Sequence, residues 1–95
     1  NMKKVLVVCG NGIASSSIMV AGLQDYLKEQ GIEAQIDKAS LMDATTDRIN
    51  SYDLLVSSTK INNDAVTIPV IIGIGLLTGI GEEEVLEDIK GVLVG

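Results

Sequence analysis

Three short apolar runs and one stretch of alternating apolar and polar residues, each bounded by polar or glycine-rich sequence, are interleaved along the chain with segments that repeat at helical spacing. The first run, Val5 to Val8, lies unbroken between two lysines and a glycine-rich stretch. An apolar run without alternation is the pattern of a strand buried on both faces, and it predicts a first strand over residues 3–8. The spacing changes from Ser15 or Ser16 onward. Met19, Leu23 and Leu27 fall on one helical face while Gln24, Asp25, Lys28 and Glu29 point away. A helix follows, with serines as its N-cap and Gly31 as its stop.

The remaining segments continue the alternation. "IEAQIDK" predicts a second strand, "SLMDATTDRI" a weak short helix capped by its serine, and "DLLVSST" a third strand buried on both sides. "KINNDAVT" is polar and turn-prone, and "IPVIIG" forms a fourth strand after Pro69. The last segment, "EEEVLEDIKGVLV", opens on three glutamates, which suit a helix N-terminus, and aligns Val85, Leu86, Ile89, Val92 and Leu93 as one stripe. Strands alternating with helices pair in parallel through crossovers. The expected fold is α/β: one domain over residues 1–95, an open four-stranded parallel sheet of order 2-1-3-4, helices on both faces, and a phosphatase-like loop after the first strand.

Composition narrows the function. A net charge of −6 repels polyanions, which excludes nucleic acid and anionic lipid surfaces as expected partners. The absence of histidine and the presence of one cysteine leave no soft ligand set for a metal and no Cys–His pair, so no metal or cofactor is expected. The start imitates a lipoprotein signal, but its apolar run is too short, and bulky Val8 stands where processing needs a small residue. Asn1, ahead of Met2, reads as an added residue. The longest apolar stretch, "VTIPVIIGIGLLTGIG", is broken by Pro69 and four glycines and is shorter than the roughly 20 residues of a membrane helix. With one unpaired thiol as well, the expected location is the cytoplasm, without membrane insertion.

The candidate chemistry lies in "VLVVCGNGIASSS". Ligands of open parallel sheets bind beyond the carboxyl ends of the strands, and Cys9 is expected as the first residue past strand one. The loop from Gly10 through Asn11, Gly12 and Ile13 to Ala14 then enters the helix. Its glycines permit positive φ, so several backbone N–H groups should converge on whatever Cys9 carries. The helix N-terminus favours an anion there, either a thiolate or a phosphoryl group on sulfur. Residues 5–27 contain no Lys, Arg or His. The available donors are backbone amides and the side chains of Asn11, Ser15, Ser16 and Ser17. The competing reading makes Cys9 a small buried hydrophobe at a strand end, and Asn11 a turn residue. "GIGLLTGIG" does not have dinucleotide-binding spacing and reads as a flexible loop near the Cys9 edge.

"CGNGIASS" resembles the cysteine loop of low-molecular-weight protein tyrosine phosphatases, but Ser15 occupies the position of their arginine, and no aspartate follows a proline in a late loop. A hydrolase without that clamp and acid is poor at both halves of its reaction. "KVLVVCGNGIASSSIM", "DLLVSSTKI" and "IPVIIGIGLLTGIG", with the closing amphipathic helix, resemble over nearly the whole chain the enzyme IIB component of the bacterial phosphoenolpyruvate-dependent sugar phosphotransferase system, of the galactitol type. That resemblance implies a phosphocysteine carrier. Cys9 would be phosphorylated, and Gly10, Asn11, Gly12, Ile13, Ala14, Ser15 and Ser16 would cradle the phosphoryl group. The donor would be a phosphohistidine on a IIA protein, and the acceptor a sugar held by the membrane transporter IIC.

Overall fold

The structure is a computed structural model, described over residues 2–10 and 13–95, with Ile13 described by its backbone only. Asn1, Asn11 and Gly12 lie outside the described residues, and with them the expectations about an added first residue and about the middle of the cysteine loop.

The elements run β1 (Lys3–Cys9), α1 (Ile13–Glu29), β2 (Ala34–Ser40), α2 (Thr46–Asn50), β3 (Leu54–Ser57), β4 (Val70–Ile72), α3 (Gly75–Thr78) and α4 (Glu82–Val94). All described strand pairs are parallel, and the order is β2-β1-β3-β4, as the alternation predicts. Val5 to Val8 and Leu54 to Val56 are fully buried, because both strands are central and covered on both sides.

One face of the sheet packs Val5, Val7, Leu54 and Val56 against Met19, Leu23 and Leu27 of α1, Leu76 of α3, and Leu86, Ile89 and Leu93 of α4. The other face packs Leu6, Val8 and Leu55 under Ile49 of α2 and under Ile61, Val66 and Ile68 of the irregular connection to β4. Both faces carry helix, but the second is covered by one five-residue helix and a loop. Asn50 ties that loop down: its Nδ2 donates to the Ala65 carbonyl (2.9 Å), and its Oδ1 accepts from the Thr67 N–H (2.9 Å).

Several boundaries differ from the pattern, each for a local reason. α1 begins at Ile13 rather than at Ser15 or Ser16, so those serines lie inside its first turns instead of capping it. Its end follows the expectation, since Gly31 adopts φ 69°, the Gly31 N–H donates to the Lys28 carbonyl, and the Ile32 N–H donates to the Leu27 carbonyl. That double closure is a Schellman cap, and it takes Ile32 out of the strand, so β2 starts at Ala34. Ser40 ends β2 rather than capping a helix. Its Oγ accepts from the Asp43 N–H and donates to Asp43 Oδ2, both at 3.2 Å, which folds residues 40–43 into a turn. α2 therefore starts late, capped by Thr45, whose Oγ1 accepts from the Arg48 N–H (3.3 Å). The glycine-rich "GIGLLTGIG" holds the short helix α3, which periodicity does not register.

Candidate functional site

The residues that end the parallel strands share one edge. The register sets Cys9 beside Ser40 of β2, and Val8 beside Ser57 of β3. The Ser58 N–H donates to the Val8 carbonyl (3.0 Å), and the Gly73 N–H donates to the Ser57 carbonyl (2.7 Å), which extends the ladder past the last strand residues. Cys9, Ser40, Ser57, Ser58 and Gly73 thus stand at the carboxyl ends of the four strands, where open α/β sheets hold their ligands. Small side chains there let the following loops cross the edge closely.

Cys9 is the last residue of β1 rather than the first beyond it, and it is buried, with 1% of its surface exposed. Strand alternation turns its side chain to the α1 side of the sheet, in the cluster that includes Val7 and Met19. The sulfur therefore lies at the edge but under cover, and a reagent reaches it only when neighbouring groups shift.

Gly10 corrects one expectation. Its φ does not fall in the left-handed range; among the described glycines only Gly31, Gly79 and Gly81 have positive φ. What Gly10 supplies is space, since a Cβ built there lies 3.0 Å from Leu41 Cδ1 and 3.4 Å from Thr59 Cγ2. Its amide donates to Ser58 Oγ (3.2 Å), so in this structure that N–H serves the β3 loop.

The other expected cradle residues belong to α1. Ile13, Ala14, Ser15 and Ser16 form its first turn, which carries the positive end of the helix dipole. Ala14 is exposed, Ser15 half-buried, and Ser16 buried against the sheet with 2% of its surface exposed. The structure thus brings Cys9, Gly10 and residues 13–16 to one place.

Residues from two other strands join them without having been singled out by sequence. Ser57, fully buried, donates through Oγ to the Thr59 carbonyl (2.6 Å) and accepts from the Thr59 N–H (3.2 Å), fixing the turn that lays Thr59 beside Gly10. On β2, Lys38 donates from Nζ to Ser17 Oγ of α1 (2.6 Å). A cavity of about 140 Å³ lies beside that contact, lined by Ser16, Lys38, Ala39, Ser40, Asp43 and Arg48. The available signal was topological: once the order 2-1-3-4 is set, every strand's carboxyl end becomes part of the site, including the "SST" of strand three.

The comparisons with known proteins agree with this geometry. Residues 4–90 match the family described as "PTS system, Lactose/Cellobiose specific IIB subunit". The chain belongs to that family. Among its relatives, the phosphotransferase enzyme IIB component SgcB of Escherichia coli (strain K12) is 39% identical over 92 residues, covering 97% of this chain and 98% of SgcB. The galactitol-specific EIIB component of the same organism is 22% identical, with 98% of each chain covered. In fold, the chain resembles the lactose-specific IIB component domain of the Streptococcus pneumoniae phosphoenolpyruvate:carbohydrate phosphotransferase system, with a TM-score of 0.65, 14% identity, and 96% and 97% of the two chains covered.

The chain is therefore a IIB subunit for sugar phosphotransfer, and IIB subunits work with IIA and IIC components. Among the described residues, no helix is long and apolar enough to cross a membrane.

Proposed function

We propose that the chain carries a phosphoryl group on the sulfur of Cys9 between a IIA phosphohistidine and a sugar or polyol held by IIC. The observation that supports this most is the placement of Cys9 at the carboxyl end of β1, directly ahead of the α1 N-terminus, in a chain whose relatives are named as IIB components. In the first half-reaction the sulfur attacks phosphorus and the P–N bond breaks. Its electron pair stays on the imidazole nitrogen of IIA, which takes up the proton that the thiol gives up. In the second, the acceptor hydroxyl oxygen attacks and the S–P bond breaks. The electron pair returns to sulfur, and the hydroxyl proton passes to a base on the acceptor's side.

The roles of Gly10, Asn11, Gly12, Ile13, Ala14, Ser15 and Ser16 as the cradle belong to the same proposal. The amides of the first turn of α1 suit the oxygens of a phosphoryl group on Cys9, and the helix dipole stabilises its charge. Galactitol, or a polyol like it, is the proposed acceptor, supported by the galactitol-specific relative that aligns over the whole chain. Cytoplasmic placement follows from the proposed exchange with IIA.

A carrier must keep its phosphoryl group from water. Ser15 stands where the related phosphatase loop has arginine, and the chain has no histidine to activate water. The test is to phosphorylate the chain, remove the donor, and follow phosphate release with and without IIC and sugar. Slow release that accelerates only when both are added is expected. Rapid release from the isolated chain, with turnover of an aryl phosphate, would establish a thiol phosphatase instead.

A further inference from the structure

The loop and first helix contain no cation over residues 5–27, yet the proposed intermediate places a phosphoryl dianion there. The structure brings positive charge from β2. Lys38 pairs with Val7, and Ser40 pairs with Cys9, so Lys38, Ser40 and Cys9 all project to the α1 side of the sheet. Two residues along β2 and one strand across, the Lys38 Cα lies about 8 Å from that of Cys9, a span that a four-carbon stem can bridge.

In this structure Nζ rests on Ser17 Oγ at 2.6 Å, one turn beyond the start of α1. The cavity lined by Ser16, Lys38, Ser40 and Asp43 opens beside Lys38 at the end of β2, whose last residue pairs with Cys9, so the ammonium has room to leave Ser17. Arg48 lines the same cavity, but it stands on α2, which packs on the face of the sheet opposite to Cys9. Lys60 follows Thr59 at the sheet edge, where the chain turns to the opposite face and Ile61 packs against Leu6 and Val8. Asp43, also on the cavity wall, opposes an anion and sets a limit on how far the charge is neutralised.

We propose that Lys38 is the cation of the phosphorylated site: parked on Ser17 in the free chain, it leaves that hydroxyl for the phosphoryl oxygens on Cys9, on the same side of the sheet, and raises the affinity of the sulfur for the group. This rests on the carrier reading above. Lys38 is exposed, so a charge-assisted hydrogen bond from it to phosphate is worth about three- to tenfold in an equilibrium constant. Its loss lowers the phosphorylated fraction without requiring any loss of fold.

The test is a competition. Wild type and Lys38→Met are mixed with a limiting amount of phosphorylated IIA and brought to equilibrium, and the phosphorylated-to-free ratio of each is read by intact mass. Lys38→Arg and Lys60→Met are run in the same way, with chemical denaturation of every variant alongside. The expected ratio for Lys38→Met is about three- to tenfold below wild type, with near-complete recovery in Lys38→Arg and little change in Lys60→Met. Equal ratios for wild type and folded Lys38→Met, or a loss confined to Lys60→Met, would overturn the role of Lys38 and leave it as a brace between β2 and α1, with the carrier reading intact. A wild type that takes no phosphoryl group on Cys9 would remove the carrier reading itself.

Discussion

At the scale of single residues, the chain separates what holds the fold from what serves the cysteine. Tyr52 is of the first kind. Its hydroxyl donates to Asp37 Oδ2 at 2.7 Å, Gln35 Nε2 donates to the same oxygen at 2.9 Å, and Lys4 Nζ lies 4.9 Å from the Tyr52 ring centroid. The Tyr52 hydrogen bond, chiefly, holds the Asp37 carboxyl below its ordinary value of 3.8, while burial, and then Asp37 itself, push the Tyr52 hydroxyl above 10.0. A depressed carboxylate contributes stability that is present above its unfolded value and lost as pH falls through the folded one. A raised phenol contributes below its unfolded value and loses that contribution as pH rises through the folded one. Tyr52→Phe should therefore cost about 1 kcal/mol at neutral pH. In urea titrations across pH, the gap from wild type should narrow below pH 3.8 and again above pH 10.0.

Cys9 is of the second kind, and its burial sets its behaviour. With 1% of its surface exposed, it should react with Ellman's reagent at least about tenfold more slowly in the native chain than in the urea-unfolded chain, because reaction waits on a local opening. Equal rates would show that the thiol is open in solution.

At the scale of elements, glycine positions test which close approaches matter. A Cβ on Gly73 would lie 2.5 Å from Val56 Cγ1, a stiff side chain on a fully buried strand. At Gly10 the nearest atom is the end of Leu41, which is partly exposed and can turn away. Gly73→Ala should lower stability by about 1–3 kcal/mol, whereas Gly10→Ala should cost less than about 1 kcal/mol. Gly10→Ala should still impair phosphoryl acceptance, because the methyl group wedges between the Leu41 and Thr59 loops beside Cys9. Denaturation and phosphotransfer measured on the same samples separate the two effects.

The elements also show what pattern alone conveys. The buried stripe of α1 and the full extent of α4 were legible because long amphipathic periods leave little choice of face. The ends were not. Ser16 looks like a cap by residue type, but the backbone enters the helix three residues earlier, and Ser40 ends a strand because Asp43 closes a turn on it. Side chains that cap, turn and pair with the same chemistry give no local signal of which they will do.

At the scale of the molecule, the parallel order gathers four strand ends at one edge, and this is why one cysteine in a small chain can be a site. The position of Cys9 was legible from the run that precedes it. Lys38, Ser57 and Thr59 were not, since they reach the edge only through strand register and loop closure. The central claim is that the phosphoryl group is carried on this one sulfur. The most direct test incubates the chain with phosphoenolpyruvate, the general phosphotransferase proteins and a IIA, and reads intact mass and then the modified peptide for wild type and Cys9→Ser. Wild type should gain the mass of one phosphoryl group, located on Cys9, and Cys9→Ser should gain none while remaining folded. Phosphorylation of Cys9→Ser to the same extent, or of wild type at another residue, would contradict the claim.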